Sequence, residues 1–206
     1  MNESNTQCTI GQIAKIKSGF TFRERIVELK QAEGNAYVVQ IKDARKIADE
    51  SFSHEIHPTL LPEIDWQGKE SAFGSSQSVF IPSRGGYFKA FCLATDTSEH
   101  KPVVISSQFI IITPEHSVST QFLCWYLNQP VMQRILAESS QGTNMAMLNT
   151  EIVKNIKVSA PPICIQEQIL RLQKMWQQEQ QLTAALAKNR EQMMQGMFNQ
   201  LLKEAN

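Results

Sequence analysis

Apolar and polar positions divide this chain into two regimes. From Ile163 to Leu202 there is no proline and one glycine, Gly196. Over that stretch apolar residues return at Ile165, Ile169, Leu172, Trp176, Leu182, Leu186, Met193, Met197 and Leu201, mostly by steps of three and four. Such spacing predicts one long helix with a narrow apolar seam, as in a coiled coil, rather than the wider stripe of a core-facing helix. Gln173, Gln177, Gln178, Gln180, Gln181, Lys188, Arg190, Glu191, Gln192 and Gln195 make its other faces polar. Pro161 and Pro162 stand at its start, where a fixed helical φ helps and a missing N–H costs nothing. At about 1.5 Å per residue, roughly 40 residues span about 60 Å, more than the width of a small domain. Glu179 or Gln180, and again Asn189 or Arg190, fall where an apolar residue is due. Polar seam positions cost stability and fix register and partner. The plainer reading, an amphipathic helix folded back on its own domain, is opposed by this length.

Upstream the periodicity is mixed. Thr9 caps a predicted short helix, Ile10–Lys17, with Gly19 as its stop. Tyr37–Ile41 reads as a buried strand. Ser78–Pro82 and Tyr87–Ala94 are β-prone runs flanking Ser83, Arg84, Gly85 and Gly86, a hairpin-like turn. A further strand lies within Val103–Thr113. A helix follows from Ser119 or Thr120 to near Glu138, with Phe122, Leu123, Tyr126, Leu127, Met132 and Ile135 inward and Pro130 bending or interrupting it. After the loop Ser139–Asn144, Asn149 caps Glu151–Asn155, and Ile156–Ser159 is a short strand. The expected fold class is α+β: a globular domain over residues 1–160, then a coiled-coil helix over 161–206.

Charge narrows the functions open to such a domain. With 20 basic and 20 acidic residues the net charge is zero. A protein whose affinity came mainly from neutralising phosphates should be basic. The balance therefore opposes strong autonomous nucleic-acid binding, yet it allows a local cluster to read bases while a partner supplies phosphate contacts. No run of about 18 apolar residues is present, so no membrane span is expected. The polar stretch Met1–Gln7 lacks the apolar segment of a secretory signal, which points to the cytoplasm.

Catalytic and metal-binding patterns are missing. Cys8, Cys92, Cys124 and Cys164 are scattered, without zinc-ligand spacing, and read as free thiols. His54 and His57 are followed by Pro58 and have no third ligand nearby, so neither metal nor cofactor is expected. There is no phosphate-cradling Gly-rich loop before Lys-Ser/Thr, no dinucleotide fingerprint and no G-x-S-x-G elbow. Ala160-Pro161-Pro162-Ile163 lacks both the polar and the aromatic member of the Asn/Asp-Pro-Pro-aromatic motif of amino-methyltransferases. The acids around Lys69, between Glu63 and Glu70, match no nuclease spacing and read as a solvated loop. A non-enzyme is expected.

Several segments, in order, carry a family resemblance. They are Ile10-Gly11-Gln12-Ile13-Ala14-Lys15-Ile16-Lys17-Ser18-Gly19, Ser78-Val79-Phe80-Ile81-Pro82-Ser83-Arg84-Gly85-Gly86, Ser107-Gln108-Phe109-Ile110-Ile111-Ile112 and Gly142-Thr143-Asn144-Met145-Ala146-Met147-Leu148-Asn149. The last and most specific is Pro161-Pro162-Ile163-Cys164-Ile165-Gln166-Glu167-Gln168-Ile169. Together they resemble the DNA specificity subunits of type I restriction-modification systems, over nearly the whole chain. Complete subunits of that family carry two target recognition domains and two spacer helices, so the resemblance is to one half.

The resemblance implies a subunit that binds double-stranded DNA and recruits an adenine-modifying methyltransferase subunit, and with it a restriction subunit. It also implies a homodimer through antiparallel C-terminal helices, reading two inverted half-sites around an unread gap set by helix length. Base reading calls for Arg or Lys toward guanine and Asn or Gln toward adenine. The candidates are Arg84, Tyr87 and Lys89 around the glycine turn, Lys42, Arg45 and Lys46 after the Tyr37–Ile41 run, and Gln141 and Asn144 in the Gly-Thr loop. A second reading is a coiled-coil adaptor that binds protein. Clustering of Lys42, Arg45, Lys46, Arg84 and Lys89 separates the two: together they support DNA, dispersed they support the adaptor. A third is the recognition half of a fused methyltransferase.

Overall fold

Strands whose successive side chains enter different cores organise the structure. It is a computed structural model that describes residues 6–30, 32–51, 53–86, 88–94, 101–115, 117–140 and 146–204. In chain order its elements are β1 (Thr6–Thr9), α1 (Ile10–Ile13), β2 (Ala14–Ser18), β3 (Ala36–Val39), α2 (Ile41–Ser51), β4 (Glu55–Ile56), β5 (Glu63–Ile64), β6 (Val79–Pro82), β7 (Phe91–Leu93), β8 (Val103–Ile105), β9 (Phe109–Pro114), α3 (Thr120–Leu127), α4 (Pro130–Ser139), α5 (Thr150–Asn155), β10 (Lys157–Ala160) and α6 (Ile163–Glu204). The class is α+β, as the mixed periodicity predicts. Two compact units are distinguished, one ending at Leu170 and one beginning at Arg171.

In the first unit a five-stranded sheet runs β2-β9-β6-β7-β4, and a three-stranded sheet runs β5-β3-β8. The β3–β8 and β4–β7 pairs are parallel, the others antiparallel. Alternation along β6 and β9 sends Val79, Ile81, Ile110 and Ile112 to a core shared with Phe122, Leu123, Leu127, Met132 and Val153. It sends Phe80, Phe109 and Ile111 to the opposite core, where Tyr37, Val39, Ala44, Ile47 and Ile105 meet them. The next layer repeats the rule: Ala36 and Val38 of β3 leave that core for another, closed by Phe22, Ile26, Trp66 and Phe73. A sheet buried on both faces reads as a continuous apolar run, which is why Phe109–Ile112 has no polar member.

The expected helix over Ile10–Lys17 lasts only to Ile13. Ala14–Ser18 instead becomes β2, paired with β9 from Ala14↔Pro114 to Ser18↔Ile110, because a free sheet edge wins over a short helical pattern. Val103–Thr113 holds two strands, β8 and β9, in different sheets. Ile41 starts a helix rather than ending a strand: Asp43 Oδ2 accepts the Gln40 N–H at 3.3 Å, and Gln108 Oε1 accepts the Ile41 N–H at 3.0 Å. Pro130 divides the Ser119–Glu138 helix into α3 and α4 and takes the first position of α4. Asn149 acts as the predicted N-cap, accepting from Ile152 N at 2.8 Å, and Ser119 caps α3 by accepting from Phe122 N at 3.2 Å.

α6 runs unbroken for 42 residues, about 63 Å of helix. Its first two turns belong to the globular unit. Gln166 is fully buried; it donates to Ser117 O at 2.9 Å and Pro161 O at 2.7 Å, and accepts from Ser119 N at 2.9 Å. Ile169 and Leu170 pack on the core beside α3. No helix among the described residues is long and apolar enough to cross a membrane.

Candidate nucleic-acid interface

Two short segments distant in sequence form the candidate site. α2 turns Ala44 and Ile47 into the core. Spacings of three and four then place Lys42, Arg45 and Lys46 along its outer side, Lys42 and Lys46 exposed and Arg45 half-buried. The second segment is the turn after β6. Ser83 is buried, whereas Arg84, Gly85 and Gly86 are exposed. Gly85 and Gly86 have φ of +92° and +67°, a left-handed pair that L side chains resist. The two segments approach each other, since Arg45 Nη2 lies 3.5 Å from where a Cβ on Gly85 would stand.

Gln108, in the turn between β8 and β9, holds them in place. Its carbonyl oxygen accepts the Ser83 N–H at 2.8 Å and the Ser83 hydroxyl at 3.0 Å. Its side chain caps α2 at Ile41. On the far side the chain leading out of the Gly-Thr loop pairs with the same turn: Gly85 N donates to Ala146 O at 3.3 Å, Leu148 N donates to Ser83 O at 2.9 Å, and Arg84 bridges Met147. Three of the predicted segments thus converge on one turn. Tyr87, Gln141 and Asn144 lie outside the described residues.

Lys89 has a different setting. Phe88–Ala90 is tied to the α3–α4 junction, with Gln133 Nε2 donating to Phe88 O at 3.1 Å and Asn128 bonding both polar groups of Ala90 at 3.0 and 2.8 Å. There Lys89 acts on His54, whose imidazole is pushed down to about 4, first by burial and then by the lysine's charge. Lys42 is also engaged. It pairs with Glu28, and this bond holds the Glu28 carboxyl below the usual range and raises the Lys42 ammonium. Sequence reasoning missed Gln108, Arg25 and Glu28. Gln108 and Glu28 contribute through tertiary contact and Arg25 through its charge, and no periodicity marks such residues.

The C-terminal seam is apolar and open beyond its first turns. Leu172, Trp176 and Leu182 are 68%, 59% and 72% exposed, and Leu186, Met193, Met197 and Leu201 are likewise exposed. Met175, Met194, Phe198 and Leu202 widen the stripe. Ile165 is exposed, and Ile169 is partly buried against the globular core.

Comparison with known proteins gives this geometry a context. A family model described as the type I restriction modification DNA specificity domain matches residues 2–188. The HsdS subunit from Thermoanaerobacter tengcongensis is similar with a TM-score of 0.58 and 15% identity, over 84% of this chain and 37% of that one. A chain from a structure of type I R-M complex assembly and conformational transition has a TM-score of 0.59 and 16% identity, over 89% of this chain and 41% of that one. The type I restriction-modification S subunit from M. genitalium has a TM-score of 0.51 and 15% identity, over 87% of this chain and 42% of that one. At such identities the likeness is one of fold, and the chain spans less than half the length of these structures. No curated protein matches it. With the family model covering nearly all of the globular unit and the start of the long helix, the chain belongs to the type I restriction-modification DNA specificity domain family.

Proposed function

We propose that this chain is a non-catalytic DNA-recognition subunit that directs methyltransferase subunits, and a restriction subunit where one is present, to a sequence it selects. The observation that carries the reading is the meeting of α2 with the Ser83–Gly86 turn, where Arg45 stands against Gly85 and Arg84 is exposed beside it. An exposed arginine on a fixed turn suits bidentate contact with guanine. A neutral chain that places Lys42, Arg45 and Lys46 on one helix and brings Arg45 to the Arg84 turn, with Lys89 set apart, fits base reading in a shared complex better than a protein adaptor does.

The open seam of α6 is assigned to a second copy of the chain. Pairing along Leu172, Trp176, Leu182, Leu186, Met193, Met197 and Leu201 would cover side chains that are otherwise in water. A two-fold pairing gives two recognition surfaces and therefore a split, inverted site. Reconstitution with a type I methyltransferase subunit tests the reading. The complex should methylate duplex DNA at such a site, and Arg84→Ala should reduce methylation without altering the subunit composition. Equal methylation of all sequences would overturn it.

A further inference from the structure

Lys42 opens the basic side of α2, yet its ammonium is already bonded to the Glu28 carboxylate. Gln40 Nε2 donates to the same oxygen, Glu28 Oε1, at 2.9 Å. Arg25 lies close enough for its charge to act on both members of the pair. The first turn of α2 starts at the adjacent Ile41, whose own N–H is taken by Gln108 Oε1. One carboxylate oxygen thus collects an ammonium and an amide beside a helix start. That is the donor set a phosphate oxygen seeks.

Stability does not account for the arrangement. The two side chains are 59% and 38% exposed, and an ion pair so exposed adds little to folding. Its effect on binding is larger, because non-specific affinity for duplex DNA comes almost entirely from cations that reach phosphates. We propose that Glu28 is a specificity-determining residue that occupies the place of a DNA phosphate at Lys42 and so withholds this lysine from duplexes of the wrong sequence. On the selected sequence, base contacts at the Arg84 turn hold the backbone in one register, and Lys42 exchanges Glu28 for a phosphate. The inference rests on the reading of α2 as a DNA-facing helix.

The test is the salt dependence of binding by the full chain to a short duplex of mixed sequence, followed by fluorescence anisotropy. Glu28→Gln should tighten binding and steepen the slope of log K against log salt by about 0.9, one phosphate contact. Adding Lys42→Met to Glu28→Gln should return the slope to that of the wild type. Both changes fall on exposed side chains and leave the core intact. An unchanged slope in Glu28→Gln, with salt-dependent binding by the wild type, overturns this inference and leaves the DNA reading standing. A gain that survives Lys42→Met also overturns it, since general charge repulsion then explains the effect. Wild-type binding that ignores salt overturns both.

Discussion

Gln108 grips Ser83 with a forked contact, one carbonyl oxygen accepting both the Ser83 N–H at 2.8 Å and the Ser83 hydroxyl at 3.0 Å. The same residue reaches α2 through its side chain, at 3.0 Å from Ile41 N. The arginine turn and the basic helix are therefore set by one residue that itself carries no charge. Gln108→Leu should cost about 1 kcal/mol, the value of one hydrogen bond and its orphaned donor. DNA binding should weaken with it, and Gln108→Glu, which keeps an acceptor, should recover most of the stability. Urea unfolding and anisotropy measure the two effects separately.

Arg84 should behave differently, because it is exposed and its fixed partner is the backbone at Met147. Arg84→Ala should leave the unfolding midpoint in place and weaken sequence-specific binding by about 1–3 kcal/mol, the worth of a bidentate base contact. A loss of folding would mark the side chain as structural instead.

Two glycines should respond with opposite sign. Gly85 has φ +92°, so Gly85→Ala should destabilise the protein by about 1 kcal/mol and lower DNA affinity. Gly196 lies inside α6, and among the described residues no atom lies within 4 Å of where its Cβ would stand. Gly196→Ala should stabilise the helix by up to about 1 kcal/mol. Thermal melts followed by circular dichroism check both.

Acid should act through one buried and one half-buried group. The Glu63 carboxyl is lowered to about 2, from 4.5, chiefly by the Lys101 ammonium at 2.8 Å and then by backbone N–H groups such as Gly34 at 2.8 Å. A depressed carboxyl contributes stability that is complete above its unfolded value and is lost as pH falls toward the folded one. For Glu63 this window runs from 4.5 down to about 2. His54, neutral when folded, loses its contribution earlier, from 6.5 down to about 4. Urea midpoints measured across pH should fall in two stages, and Glu63→Gln should flatten the lower one only.

The boundary between domain and rod also makes a prediction. Gln166 satisfies Ser117 O, Pro161 O and Ser119 N, and Ile169 and Leu170 cover the core. A chain cut after Pro162 should be unstable, whereas one cut after Gln173 should be a folded monomer beside a dimeric full chain. Sedimentation of the two truncations and the full chain checks this, and a full chain that sediments as a monomer would sink the pairing along α6.

The long helix was legible because its signals are local: a Pro-Pro start, no later proline and apolar residues every three or four positions. Pro130 and Asn149 were legible for the same reason, since capping and helix breaking act within one turn. Ala14–Ser18 was misread because its partner, β9, lies about a hundred residues away. α2 was missed because Tyr37–Val39 is so strongly β-prone that it hid the start at Ile41. The convergence of Arg45, Gly85 and Ala146 depends on a glutamine in a third segment, so residue types identified the candidates but only the tertiary fold joined them.

The central claim is sequence choice, and methylome sequencing tests it most directly. In cells that also express a type I methyltransferase subunit that assembles with it, this chain should produce one split motif of two inverted half-sites, and deleting it should erase that motif. A methylome unchanged by the deletion would contradict the account.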